Sequence, residues 1–239
     1  MLMSKYKRIL LKLSGEALAN TENIIDPVAL NKVVNIIKSV LSQNVEIAIV
    51  VGGGNIFRGA VLAQAGMNRI TGDHMGMLAT VMNALAIADV CQKNKVDTLV
   101  MSGFSIGGGV CDSINHVHAK QALNEGKVVI FCAGTGSPCF TTDTGAALRA
   151  IEIDADAVFK ATKVDGIYTS DPIKNSDAKR YDSLSFDGAI EKNLQIMDVS
   201  AFALCREHDL EICVFSMLEN TNTLSDILKG KPLGTIVRK

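Results

Sequence analysis

Ile47-Ala48-Ile49-Val50-Val51-Gly52-Gly53-Gly54-Asn55-Ile56-Phe57-Arg58-Gly59 is the stretch on which the reading of this chain turns. Its first five residues are a short apolar run rich in β-branched side chains, the pattern of a strand buried on both faces of a parallel sheet. The three glycines lack Cβ atoms, so backbone N–H groups there can come close to a ligand and adopt positive φ. A cluster of amides followed by the Arg58 guanidinium suits a phosphate or a carboxylate. A tight turn with a surface arginine fits the same residues, so the stretch alone predicts a strand and a loop, not a site.

Working outward, residues 8–13 predict a first strand that ends on Lys12-Leu13-Ser14-Gly15. Alternation puts Lys12 on the face of Arg8 and Leu10, and the small Ser14-Gly15 turn leaves room for a bound group. A lysine at an exposed strand edge is the competing reading. Asp26-Pro27 opens a helix as N-cap and first helical residue, with Leu30, Val33, Val34, Ile37, Val40 and Leu41 at helical spacing and Asn44 at its end. Asp73 stands at the head of an apolar helix reaching about Asn94, where it reads as an N-cap or as a carboxylate for a sugar hydroxyl. The methionines of that helix read as core filler.

Residues 98–101 and 128–132 predict two more strands. The second ends in Ala133-Gly134-Thr135-Gly136-Ser137-Pro138-Cys139-Phe140-Thr141-Thr142-Asp143, with Asp143 expected to cap a helix over 144–153. A strand, a glycine loop and a helix thus recur, with hydroxyls added to the backbone donors. Gly134-Thr135-Gly136 lacks the third glycine of a dinucleotide fingerprint, and no Gly-Lys-Ser/Thr follows, which argues against Rossmann and P-loop binding. A strand over 157–162 leads into a loop or hairpin with turn signals at Asp165-Gly166 and Asp171-Pro172. Tyr168 offers a flat face for a base there, and Lys160 and Lys163 offer charge for phosphates. Polar residues continue to about Asp182. Short helices over 186–192 and 198–207, a strand over 212–215, a helix over 223–228 and a final edge strand over 235–237 complete the chain. The alternation predicts an α/β fold, a three-layer α/β/α sandwich around a mainly parallel central sheet.

Two other motifs compete for attention. Gly103-Phe104-Ser105-Ile106-Gly107 matches the hydrolase elbow pattern, but three consecutive glycines follow where an elbow needs a helix. His116-Val117-His118 has metal-like residues, yet at the start of a helix such neighbours point apart and no acidic or cysteine set completes them.

Composition narrows the classes. With 48% apolar and 21% charged residues in 239, a substantial core is expected and disorder is not. A net charge of −1 without basic blocks, no Trp and 5% aromatics argue against nucleic acid and anionic membranes as partners. Lys12 interrupts the basic-then-apolar N-terminus, and no run is expected to span a membrane. Six cysteines without a Cys-x-x-Cys pair suit a reducing compartment, so a cytoplasmic location is expected.

Taken in order, Lys12-Leu-Ser-Gly-Glu-Ala-Leu18, Gly52-Gly-Gly-Asn-Ile-Phe-Arg-Gly59, Asp73-His-Met-Gly-Met-Leu-Ala-Thr-Val-Met82, Gly134-Thr-Gly-Ser-Pro-Cys-Phe-Thr-Thr-Asp143 and Lys160-Ala-Thr-Lys-Val-Asp-Gly-Ile-Tyr-Thr-Ser-Asp-Pro172 span nearly the whole chain. Together they resemble the bacterial uridylate (UMP) kinases of the amino-acid kinase fold. The resemblance implies transfer of the γ-phosphoryl group of ATP to UMP, giving UDP and ADP, in pyrimidine nucleotide biosynthesis. It implies a single kinase domain, with an acceptor-binding lobe over about 1–150 and an ATP-binding lobe over about 151–239.

By the same resemblance Lys12, Arg58 and Asp143 would be catalytic, with Asp143 orienting the lysines. Lys12, Leu13, Ser14, Gly15, Gly54, Arg58, Thr162, Tyr168 and Asp171 would bind ATP. Gly53, Asp73, Thr135, Gly136, Ser137, Pro138, Cys139, Phe140, Thr141 and Thr142 would bind UMP. Mg²⁺ would arrive with ATP, carried by phosphates and water without a dedicated set of protein ligands. UTP as feedback inhibitor and a homohexamer are further implications. Residues 19–25 lack the glycines that GTP-activated members often carry there, so the resemblance does not extend to GTP activation. A kinase of the same fold with a carboxylate or carbamate acceptor, and a non-catalytic oxyanion-binding relative, are the alternatives; the second would be expected to lack Lys12 or Arg58.

Overall fold

The structure, a computed structural model, describes residues 4–57, 66–217 and 221–239. Its strands are β1 (Arg8–Leu13), β2 (Glu46–Val51), β3 (Thr98–Ser102), β4 (Asp112–Ser113), β5 (Val128–Cys132), β6 (Ala157–Thr162), β7 (Ser183–Ser185), β8 (Glu211–Ser216) and β9 (Thr235–Arg238). Its helices are α1 (Pro27–Leu41), α2 (Arg69–Lys93), α3 (His116–Asn124), α4 (Thr142–Glu152), α5 (Phe186–Glu191), α6 (Val199–Glu207) and α7 (Thr223–Leu228), with a 3-10 turn over Gly15–Leu18. The nine strands form one sheet in the order β4-β3-β5-β2-β1-β6-β8-β9-β7. Every pairing is parallel except β8 with β9.

Parallel strands need helical crossovers, and these cover both faces of the sheet. On one face Ile9, Leu11 and Leu13 of β1 pack with the apolar stripes of α1, α2 and α7. On the other, Leu10 packs with Ala146, Ala147 and Ala150 of α4 and with residues of α3, α5 and α6. The fully buried Phe131, Phe159 and Phe215 are among the bulkiest side chains of these layers. This is the expected three-layer α/β/α sandwich. Because successive residues of a strand point to opposite faces, Lys12 shares the α4 side with Leu10. β1 is also central, so Lys12 is not an edge lysine.

Several local expectations change. Asp73 is not an N-cap: α2 begins a turn earlier, at Arg69, and Asn68 accepts from the amides of Ile70 and Thr71. Asp143 lies in the first turn of α4, whose cap is Thr141, accepting from the Asp143 and Thr144 amides. The strand near the C-terminus is not an edge, because β7, with only three residues and a weak pattern, pairs beyond it. β4 was likewise too short to register as a pattern. By length and composition α2, 25 residues long, does reach the dimensions of a membrane span. Val81, Ala84, Ile87 and Cys91 nevertheless pack into the core. Asp26 does cap α1, accepting from Ala29 N–H at 3.0 Å.

Candidate active site

The C-terminal ends of the parallel strands, where open α/β sheets gather their ligands, carry the polar groups. Register decides which ones meet. Lys12 on β1 stands directly opposite Lys160 on β6, so two ammonium groups project side by side from neighbouring strands. Both reach Asp143 in the first turn of α4. Lys160 Nζ lies 2.6 Å from Oδ2 and Lys12 Nζ 2.8 Å from Oδ1. The Lys12 contact is an ion pair off the hydrogen-bond direction, since Oδ1 accepts no aligned hydrogen bond. Lys160 also donates to the Ile196 carbonyl at 2.7 Å.

All three side chains are 13–15% exposed, so the charges interact through little water. Burial works to raise the Asp143 carboxyl, but the ammoniums of Lys12 and Lys160 overcome it and hold the group below the usual carboxylate range. Burial, with Lys12 adding to it, brings Lys160 below the usual lysine range against the pull of Asp143. A carboxylate held ionised between two lysines fixes their direction while each keeps donors for a further anion.

Three cavities meet here. A cavity of 540 Å³ is lined by Gly53, Gly54, Asp73, Thr80, Thr135, Ser137, Phe140, Thr141 and Thr142, together with Arg69 and Met77. One of 630 Å³ is lined by Thr162, Tyr168, Asp171, Lys160 and the segment 192–196. Between them, 360 Å³ is bounded by Lys12, Ser14, Gly15, the three glycines 52–54, Thr142, Lys160 and Thr162. Gly53 and Gly54 both border the first cavity and the bridge. Only glycine fits at 53, where a Cβ would stand 2.7 Å from the Gly76 carbonyl of α2.

Asp73 accepts from the Cys139 amide at 2.7 Å and from Arg69 Nε at 2.9 Å, which ties α2 to the loop across the cavity. Thr135 Oγ1 donates to the Ser137 carbonyl at 3.1 Å and so tightens that loop. Tyr168 donates to Asp165 at 2.5 Å, and Asp165 also pairs with Arg180. An antiparallel bridge between Tyr168 and Arg180 makes this segment hairpin-like.

The structure does not bring every expected residue to the site. Leu13 is fully buried in the core, and its carbonyl, which accepts from Gly52 N–H at 2.9 Å, is its contribution. Gly136 packs back to back with Gly103, where a Cβ would stand 2.1 Å from the Gly103 carbonyl, and it does not line the cavity. Pro138 and Cys139 are also absent from the cavity wall, although the Cys139 amide orders Asp73. Arg58 falls outside the described residues. Ser105 is followed by turns and its hydroxyl meets Ser113 at 3.4 Å, so no nucleophile elbow exists there. His116 and His118 are exposed.

Sequence reasoning missed Arg69, the wall 192–196, and Asp198. Asp198 caps α6 and accepts from the Thr141 and Thr144 hydroxyls at the head of α4. Arg69 stands one turn before Asp73 on the same helix, a local i,i+4 spacing that could have found it, whereas the wall 192–196 and Asp198 meet the site only through tertiary packing.

Residues 7–216 match the model of the amino acid kinase family. The chain is 83% identical to the uridylate kinase of Vesicomyosocius okutanii subsp. Calyptogena okutanii (strain HA) over 237 residues, covering 99% of this chain and 100% of that one. The solved UMP kinase of Bacillus anthracis superposes with a TM-score of 0.94 at 36% identity, covering 98% of this chain and 96% of that one. That of Ureaplasma parvum gives 0.91 at 36%, covering 98% and 100%. The chain therefore belongs to the amino acid kinase family, within its uridylate kinase branch.

Proposed function

We propose that the three joined cavities are where this chain transfers the γ-phosphoryl group of ATP to UMP, giving UDP and ADP. One observation carries the assignment: Lys12 and Lys160 share Asp143 at the bridge between two cavities of nucleotide size. Phosphoryl transfer asks little covalent chemistry of a protein and much positioning and charge stabilisation. Lys12 would meet the transferring group and neutralise its developing charge, with Lys160 beside it and Asp143 holding both. The amides of Gly53 and Gly54 would add donors for the phosphates, and the head of α4 its partial positive charge. Arg58, outside the described residues, would by the resemblance add a further catalytic and ATP-binding cation.

In the 540 Å³ cavity Asp73 would take the ribose of UMP, while Thr135, Ser137, Phe140, Thr141 and Thr142 enclose the base. In the 630 Å³ cavity Thr162, Tyr168 and Asp171 would hold the adenine nucleotide. The acceptor lobe over about 1–150 and donor lobe over about 151–239 are the corresponding division of one continuous sheet. Both Asp143 oxygens face lysines, and the described residues include no cluster of three metal-ligating side chains. On this reading Mg²⁺ belongs to the ATP phosphates and water, and no step is assigned to it.

Ile70, Met75, Leu78, Met82 and Leu85 leave α2 with exposed apolar side chains, which supports association of copies through this helix. Light scattering tests it, and a monomer would remove the expected homohexamer. UTP feedback and a cytoplasmic location remain part of the proposal. A coupled ADP-release assay over UMP, CMP, dTMP, acetylglutamate and carbamate tests the acceptor: UMP is expected to be the best, and equal rates would sink the assignment.

A further inference from the structure

Helix α2 carries two buried polar side chains to which the transfer step gives no role. Thr80, 6% exposed, donates its hydroxyl to the Met77 carbonyl at 2.7 Å and accepts at 2.7 Å from the Ala133 N–H. Ala133 is fully buried and holds φ at +57°, a conformation uncommon for a residue with a Cβ. Asn83, with no exposed surface, follows about one turn along the same helix. Its amide nitrogen donates to the Gly52 carbonyl at 2.7 Å and to Asn55 Oδ1 at 2.8 Å. Its oxygen accepts from Asn55 Nδ2 at 3.1 Å, and Asn55 also donates to the Ile24 carbonyl.

We infer that Thr80 and Asn83 are positioning residues acting as one clamp, which sets the first glycine loop, with its phosphate-facing amides, against the loop over 133–143 that encloses the acceptor. The inference rests on the phosphoryl-transfer reading of the site. A peptide unit is planar, with its C=O and N–H opposed. Holding the Gly52 carbonyl on Asn83 therefore aims the Gly53 N–H to the opposite side. Holding the Ala133 N–H on Thr80 in turn aims the Cys132 carbonyl away, where it accepts from Gly103 N–H at 3.0 Å.

The first loop is also seated on the helix by contact, since a Cβ at Gly53 would lie 2.8 Å from Ala79 Cβ. Both loops thus take their positions from α2 over the residues Gly76 to Asn83. A helix keeps such a spacing, whereas two independent loops would not, and transfer rates fall steeply when reacting groups are misplaced by about 1 Å. The polar atoms are specific. Thr80→Ser keeps both hydrogen bonds and Thr80→Val neither; Asn83→Asp keeps an oxygen, loses the donor and turns charge toward a carbonyl.

The test uses the full chain in steady-state ADP release with UMP, measuring kcat and both KM values, alongside thermal melting. Thr80→Ser is expected to stay within about twofold of the parent. Thr80→Val and Asn83→Asp are expected to lose about 10- to 100-fold in kcat with both KM values changed less than about threefold. For one clamp, the double variant loses no more than the worse single variant. Equal kcat for Thr80→Ser and Thr80→Val, losses that multiply in the double variant, or an effect confined to KM would each overturn the clamp. If Asn83→Asp does not fold, the serine–valine comparison at 80 decides. A parent protein without UMP-dependent ADP release defeats the functional reading itself, whereas an active parent matched by Thr80→Val defeats only the clamp.

Discussion

The two ends of the central sheet both bury charge, yet they use it differently. At the N-terminal ends of the strands Arg8 pairs with Glu46 at 2.5 Å and donates also to the Ile153 carbonyl and to Asn124. Nearby, Glu211 accepts from both Tyr6 and Lys5. There, each charge is matched and backbone groups close the network. At the C-terminal ends two lysines share one carboxylate, and Lys12 makes a single ion pair among the described residues. A closed network ties elements together, whereas an open one holds charge in readiness for a ligand. Mutations of similar chemistry should therefore have opposite consequences at the two ends.

The largest effect is expected at the closed end. Arg8→Ala leaves Glu46 with an unpaired, largely buried charge and should cost about 3–5 kcal/mol of stability. Chemical denaturation measures it, and kcat per folded molecule should be unchanged; a fall in kcat would break the distinction between the two ends. Lys12→Ala should reverse the pattern, lowering kcat roughly 10²-fold or more with a smaller change in KM and little change in melting temperature. Unchanged turnover would take the charge-stabilising role away from Lys12.

Asp73→Ala sharpens the division within the open end. It should raise KM for UMP about tenfold and leave that for ATP alone, as expected for a lost charge-assisted hydrogen bond. An effect on ATP instead would put the carboxylate on the wrong substrate. Tyr6→Phe returns to the closed end and should cost about 1 kcal/mol with normal activity. Burial first, then the bond to Glu211, pushes the Tyr6 phenol above its ordinary value. The unfolded chain therefore loses that proton first, and the Tyr6 contribution weakens above about pH 10; Tyr6→Phe should flatten that alkaline decline.

The smallest effect is the acid slope from Asp143. Its folded carboxyl lies below the ordinary value, so the unfolded chain takes up a proton first as pH falls. Its stabilisation is present above about pH 4 and is lost as pH drops through the lower folded value. Denaturation midpoints between pH 5 and 3 should show a shallower decline in Asp143→Asn; an unchanged slope would mean that the pair contributes nothing to acid stability.

Much of this was legible because local patterns are strong where strands are buried on both faces. The runs ending at Leu13, Val51, Cys132 and Thr162 predict strands, and each strand ends beside a wall of the candidate site. Caps differ from expectation: Asn68 and Thr141 hold the helix starts for which the sequence offers Asp73 and Asp143. Any short polar residue near a helix start can serve as a cap, so sequence did not choose among neighbours. β4 and β7 are too short to carry a period, and their pairing rests on the rest of the sheet.

Local chemistry was therefore enough for the alternating architecture, the two glycine loops, and a lysine at the end of the first strand. Apolar runs, glycine and turn residues act over a few positions and need no knowledge of distant chain. The pairing of Lys12 with Lys160 came only from the β1–β6 register. Their shared Asp143 came from the seating of α4, and the hold of α2 on both glycine loops from Thr80 and Asn83. Those relations join residues far apart in the chain, and packing alone sets the distances on which their electrostatics depend.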